Sequence, residues 1–91
     1  VETIIERGVM GRSLIYKLSE KVAALKADDP CFRKLKNEIL SSVYSEKHGG
    51  KYDLPPYGRF HFHAEERDTS GLVPMKGGDL VIRIWHELDH V

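Results

Sequence analysis

Only one cysteine, Cys31, is present, which excludes an intramolecular disulfide framework and a multi-cysteine zinc knuckle and favours a reducing, intracellular compartment. An excess of charge of either sign is also missing. Fourteen basic and fourteen acidic side chains cancel, so the chain as a whole lacks the electrostatic footprint of a protein that grips duplex DNA or anionic lipid. No apolar run approaches the ~20 residues of a membrane span. The opening Val1-Glu2-Thr3 has no cationic stretch before an apolar core, unlike a signal peptide, so a soluble chain is expected. No internal repeat or low-complexity tract interrupts it, and 91 residues with 41% hydrophobic content suffice for one domain, 1–91, around one modest core.

Within that domain, Leu14, Ile15, Leu18, Val22 and Leu25 recur at helical spacing over residues 13–26, with Lys17, Glu20, Lys21 and Lys26 off the stripe. The spacing predicts a helix. Thr3 followed by Glu6 has capping-box spacing and allows an earlier start, while Gly8 and Gly11 weaken residues 7–12. A second helix is predicted over 30–47: Asp28 or Asp29 can cap it, Pro30 suits its first turn, and Phe32, Leu35, Ile39 and Val43 form an apolar stripe that ends before Gly49-Gly50. The short gap between the two implies an antiparallel helical hairpin.

Beyond Leu54-Pro55-Pro56, a stiff extended connector, the period changes to two. In Tyr57-Gly58-Arg59-Phe60-His61-Phe62-His63-Ala64-Glu65, the phenylalanines alternate with histidines, which predicts a strand with Phe60 and Phe62 facing the core. Gly77-Gly78-Asp79 reads as a turn before a second strand, Leu80 to Trp85, and a short strand around Leu72 and Val73 fits between them. The expected fold is therefore α+β, with a helical hairpin packed on an antiparallel sheet of two to four strands.

Function is signalled mainly by histidine. His61, His63, His86 and His90 fall in the C-terminal part of the chain beside Glu65, Glu66, Glu87 and Asp89. Imidazole with carboxylate is what a zinc or iron site needs, and also what metal-free acid–base catalysis needs. A solvated, histidine-rich sheet face would produce the same cluster without a function.

Three resemblances sharpen these options. His86-Glu87-Leu88-Asp89-His90 matches HExxH, and Gly78 to Val91 resembles the third motif of peptide deformylases. That resemblance implies a helix with His86 and His90 as zinc ligands and Glu87 as base, although Trp85 replaces the family's glutamine and its other two motifs have no counterpart. His61-Phe62-His63 with nearby glutamates, followed by Lys76 to Val81 and a late histidine, looks like the metal-binding strands of cupin barrels. The implied ligands are His61, His63, an acidic residue near Glu66, and His90, without the barrel, which this chain is too short to build. Two helices followed by a sheet carrying histidine, glutamate and arginine resemble the layout of small microbial ribonucleases. There Glu65 or Glu66 would be base, His86 or His90 acid, and Arg59 or Arg83 the phosphate clamp.

Gly8-Val9-Met10-Gly11 fits the GxxG loop of KH domains only formally, and reads better as two flexible glycines at a helix entrance. Trp85, Tyr57 and Tyr52 suit the lining of a ligand pocket, but aromatic residues on or beside strands are expected rather to complete a small core. Cys31, beside Asp28 and Asp29, is not expected to be a reactive thiolate. Three readings follow, in this order. The first is a zinc or iron site of His61, His63, His86 and His90 with Glu65, Glu66 or Glu87 as base. Next comes a protein-interaction module using a sheet edge or a helical face, and then a ribonuclease-like acid–base enzyme.

Overall fold

Leu14, Tyr16 and Leu18 stand two residues apart, and their side chains share one face of a strand rather than one face of a helix. In the computed structural model, residues 2–8, 12–25, 29–67 and 78–89 are described. The elements are β1 (Glu2–Arg7), β2 (Ser13–Leu18), α1 (Glu20–Ala23), α2 (Pro30–Tyr44), β3 (Gly49–Asp53), β4 (Arg59–Arg67) and β5 (Asp79–His86). The predicted helix over 13–26 thus begins as β2, and among its described residues only the four-residue α1 that follows is helical. Thr3 and Glu6, offered as a helix start, belong to β1.

The expected helical hairpin on an antiparallel sheet is replaced by one long helix against a five-stranded mixed sheet in the order β1-β2-β5-β4-β3. Only the β2–β5 pair is parallel; its neighbours run antiparallel. The physical reason lies in the spacing of Leu14, Leu18 and Val22. Steps of four residues satisfy a strand's period of two as well as a helix's period near 3.6. Ile15 and Tyr16, β-branched and aromatic, favour the strand, and β5 supplies a partner in register, Leu14 on Leu80 through Leu18 on Ile84.

Helix α2 follows its sequence signals closely. The Asp29 side chain accepts a 2.8 Å bond from the Cys31 N–H, Pro30 occupies the first turn, and Cys31, Phe32, Leu35 and Ile39 are buried. It ends at Tyr44 rather than at 47, and Gly49-Gly50, read as its stop, instead opens edge strand β3. Gly50 suits that place because a Cβ there would come within 3.0 Å of the Phe62 ring. Residues 55–58 turn the chain from β3 into β4, and the Pro55–Pro56 peptide is cis.

One core forms between α2 and the sheet, with Leu14, Tyr16, Leu18, Leu35, Ile39, Phe60, Phe62, Ile82 and Ile84 among its buried members. Phe60 and Phe62 point inward, as the alternation predicts. The strand suggested around Leu72 and Val73 lies outside the described residues, as do Gly77 and most of the Gly8–Gly11 loop. Among the described residues, no helix is long and apolar enough to cross a membrane.

Candidate functional site on the sheet face opposite the helix

Strand alternation sends every second side chain to the face opposite α2, and the register of the strands then decides which of them meet. Lys17 pairs with Arg83, and Arg83 pairs with His63, so these three lie in one row across β2, β5 and β4. The next row holds Trp85, His61 and Lys51. On the other side of the Lys17 row lie Ile15, Val81 and Glu65. Among the described residues, this face brings Lys17, Arg83, His63, Trp85, His61, Lys51 and Glu65 together.

Within it, the His61 and Trp85 rings stack with centroids 5.7 Å apart and planes 10° from parallel. The Glu87 carboxylate, from the turn after β5, lies 3.9 Å from His61 Nε2 and 3.8 Å from Arg59 Nη1. Arg59 Nε also donates to Asp53 Oδ1 at 2.8 Å. That hydrogen bond holds the Asp53 carboxyl below its ordinary range and pushes the Arg59 guanidinium up. Glu65 approaches Arg83 at 4.0 Å, a loose ion pair.

His63 and Glu65 also line a cleft of about 770 Å³, shared with Arg12, Tyr44 and His48, where β4 runs on past β3. A smaller hollow of about 540 Å³ opens at the Arg59 end beside Asp53, Pro55 and Glu87.

The other residues singled out from sequence are elsewhere. His86 belongs to the α2 side of β5 and is 8% exposed. Its Nδ1 accepts from the Leu88 N–H at 3.1 Å, its Nε2 meets the Tyr57 carbonyl oxygen at 2.6 Å, and its ring sits edge-on to Phe60. The first contact makes Nδ1 the acceptor, so the proton resides on Nε2 and is donated to Tyr57. Gly58, at φ +99°, fits against this ring, since a Cβ there would come within 2.9 Å of Nε2.

Convergence of His61 and His63 with His86 is therefore corrected: they occupy opposite faces of the sheet, and both ring nitrogens of His86 are engaged. The HExxH helix is corrected too. His86 ends a strand, and Glu87 and Leu88 form a turn closed by Asp89 Oδ2 accepting from the His86 N–H at 2.9 Å. Asp89 also accepts from Ser19 Oγ. Burial raises the Asp89 carboxyl's pKa, but the hydrogen bonds from Ser19, His86 and Lys21 outweigh it and leave the group below its ordinary range. His90 lies outside the described residues.

Glu66 is on the α2 side of β4, 3.2 Å from Arg12 Nη2, and so is separated from Glu65. Among the described residues, no group of three or more His, Cys, Asp or Glu side chains is arranged to hold a metal ion.

Two members of this face were not singled out as functional from sequence. A helix over 13–26 puts Lys17 on its solvated side, and the expectation of a core aromatic hides the place of Trp85 on this face. The signal for Trp85 was available in Ile82-Arg83-Ile84-Trp85, where the alternation puts it on Arg83's side, away from the isoleucines. Comparison of the chain with models of protein families, with curated proteins and with solved structures finds no match.

Proposed function

We propose that the face opposite α2 binds single-stranded RNA and cleaves it by acid–base chemistry. One observation carries this reading: the Lys17, Arg83 and His63 row lies directly beside the stacked His61–Trp85 pair. Cations at strand spacing suit successive phosphate oxygens, and an aromatic platform beside them suits a base, whose stacking contributes about 1–3 kcal/mol. The chain's neutral overall balance does not oppose this, because the row concentrates positive charge locally.

In the proposed step, Glu65 takes the proton of a ribose 2′-hydroxyl and the 2′-oxygen attacks phosphorus. The bond from phosphorus to the 5′-oxygen breaks, and His63 supplies that oxygen's proton. Arg83, across the register from His63 and near Glu65, would hold the non-bridging oxygens. The products are a 2′,3′-cyclic phosphate and a free 5′-hydroxyl.

Trp85 is the only tryptophan, so its fluorescence reports this face alone. Titration with a short oligoribonucleotide is expected to quench it saturably, with affinity falling as salt rises. Arg83→Ala should weaken binding by roughly tenfold, equivalent to about 1.4 kcal/mol. Glu65→Gln should abolish cleavage while leaving binding nearly intact, and a fully 2′-deoxy oligonucleotide should bind without being cut. An unresponsive Trp85 would sink the reading. So would stoichiometric zinc or iron uptake lost in His61→Ala/His63→Ala, which would return the face to metal chemistry.

A further inference from the structure

The acid and base of the proposed step, His63 and Glu65, have the stacked His61–Trp85 pair on one side and the cleft of about 770 Å³ on the other. That volume falls in the range of ~300–1,000 Å³ that takes a small ligand. The strand fixes the order of these features. Along β4, His61, His63 and Glu65 follow one another on one face, and each step of two residues covers roughly 6–7 Å. His63 therefore stands between the aromatic pair and Glu65, and Glu65 stands at the cleft.

We propose that the cleft holds the nucleoside on the 5′ side of the cut, with Tyr44 stacking on its base, while the His61–Trp85 pair holds the base on the 3′ side. This assignment rests on the cleavage proposed above. The nucleoside that gives up its 2′-hydroxyl proton must sit at Glu65. The one that leaves through its 5′-oxygen must sit at His63, one step nearer Trp85. The bound strand accordingly runs 5′ to 3′ from the cleft toward Trp85.

The lining of the cleft suits an uncharged base and ribose. Tyr44, the last residue of α2, lines it and is 57% exposed, so its ring offers a stacking surface. Val43 and Leu80 add apolar surface. Glu46 and Glu66 also line it and would repel a phosphate, although Glu66 is offset by Arg12 at 3.2 Å. Phosphate is left to Lys17 and Arg83, in the row beside Glu65. The His48 carbonyl oxygen accepts from the Ala64 N–H at 2.9 Å, which ties the β3 end of the cleft to β4.

Two short oligonucleotides test the subsite, each with a single 2′-hydroxyl so that only one cut is possible. One is intact, and the other lacks the base on the ribose 5′ of the cut. Wild type is expected to prefer the intact substrate by at least ~10-fold in kcat/KM. Tyr44→Ala should lose most of that preference with an unchanged far-ultraviolet circular dichroism spectrum, and Tyr44→Phe should keep it. Polarity is read separately with fully 2′-deoxy dinucleotides, which bind without being cut. Quenching of Trp85 should survive loss of the 5′ base and disappear with loss of the 3′ base.

Equal cleavage of the two substrates by wild type, or a preference that persists in Tyr44→Ala, overturns the subsite and leaves the proposed function standing. Quenching that depends on the 5′ base overturns the polarity. Cleavage of neither substrate by wild type removes the proposed function, and this assignment with it.

Discussion

His86 shows how little a residue's identity says about its use. It has the chemistry of a metal ligand and the surroundings of a structural hydrogen-bonding group, since one ring nitrogen accepts from Leu88 and the other donates to Tyr57. Removing it would leave a backbone donor and acceptor without their partner. His86→Ala is therefore expected to cost roughly 1–3 kcal/mol of folding stability. Denaturation with and without a chelator should give the same loss, because the role is structural; a loss present only without chelator would restore His86 as a ligand. His63, exposed on the other face, should tolerate alanine with little change in stability, so the two histidines separate fold from function.

Among elements, α2, β4 and β5 were legible in the chain because each has a single unambiguous period: a capped apolar stripe, Phe-His alternation, and a β-branched run. β2 was not, because Leu14, Leu18 and Val22 fit two periods and only the β5 partner resolves them. β3 has no apolar alternation to read in Gly-Gly-Lys-Tyr-Asp, as an edge strand packed mainly through Tyr52 needs none. The site was half legible for a related reason. Phe60 and Phe62 indicated where His61 and His63 point, whereas the HExxH string hid the fact that His86 continues the inward series Leu80, Ile82, Ile84. Burial predicts the energetics of these elements regardless of their type. Leu18→Ala on β2 and Ile39→Ala on α2, with side chains 1% and 0% exposed, should each cost about 2–5 kcal/mol. Lys21→Ala on α1, exposed, should stay within roughly 0.5 kcal/mol, and equal small effects at all three in chemical denaturation would show that these are not core positions.

For the whole molecule, the decisive feature is that β5 fills the sheet's centre, with β2 on one side and β4 on the other. The Leu14–Leu80 pairing joins residues far apart in sequence, and loop closure must precede any stabilisation it brings. Neither β1–β2 nor β3–β4 has an adjacent strand on its inner side until β5 arrives, so the two halves should melt together. Trp85 fluorescence on β5 and far-ultraviolet circular dichroism, dominated by α2, are expected to give coincident denaturation curves. A helix signal persisting after the Trp85 transition would show that the halves are independent. The same arrangement sets an order of events during synthesis. The two outer hairpins leave the ribosome before the strand that unites them, each with an inner edge still unpaired. Until residues 79–86 emerge, the nascent chain carries two open strand edges, and it is in that interval that pairing with a neighbouring nascent chain competes most strongly with folding.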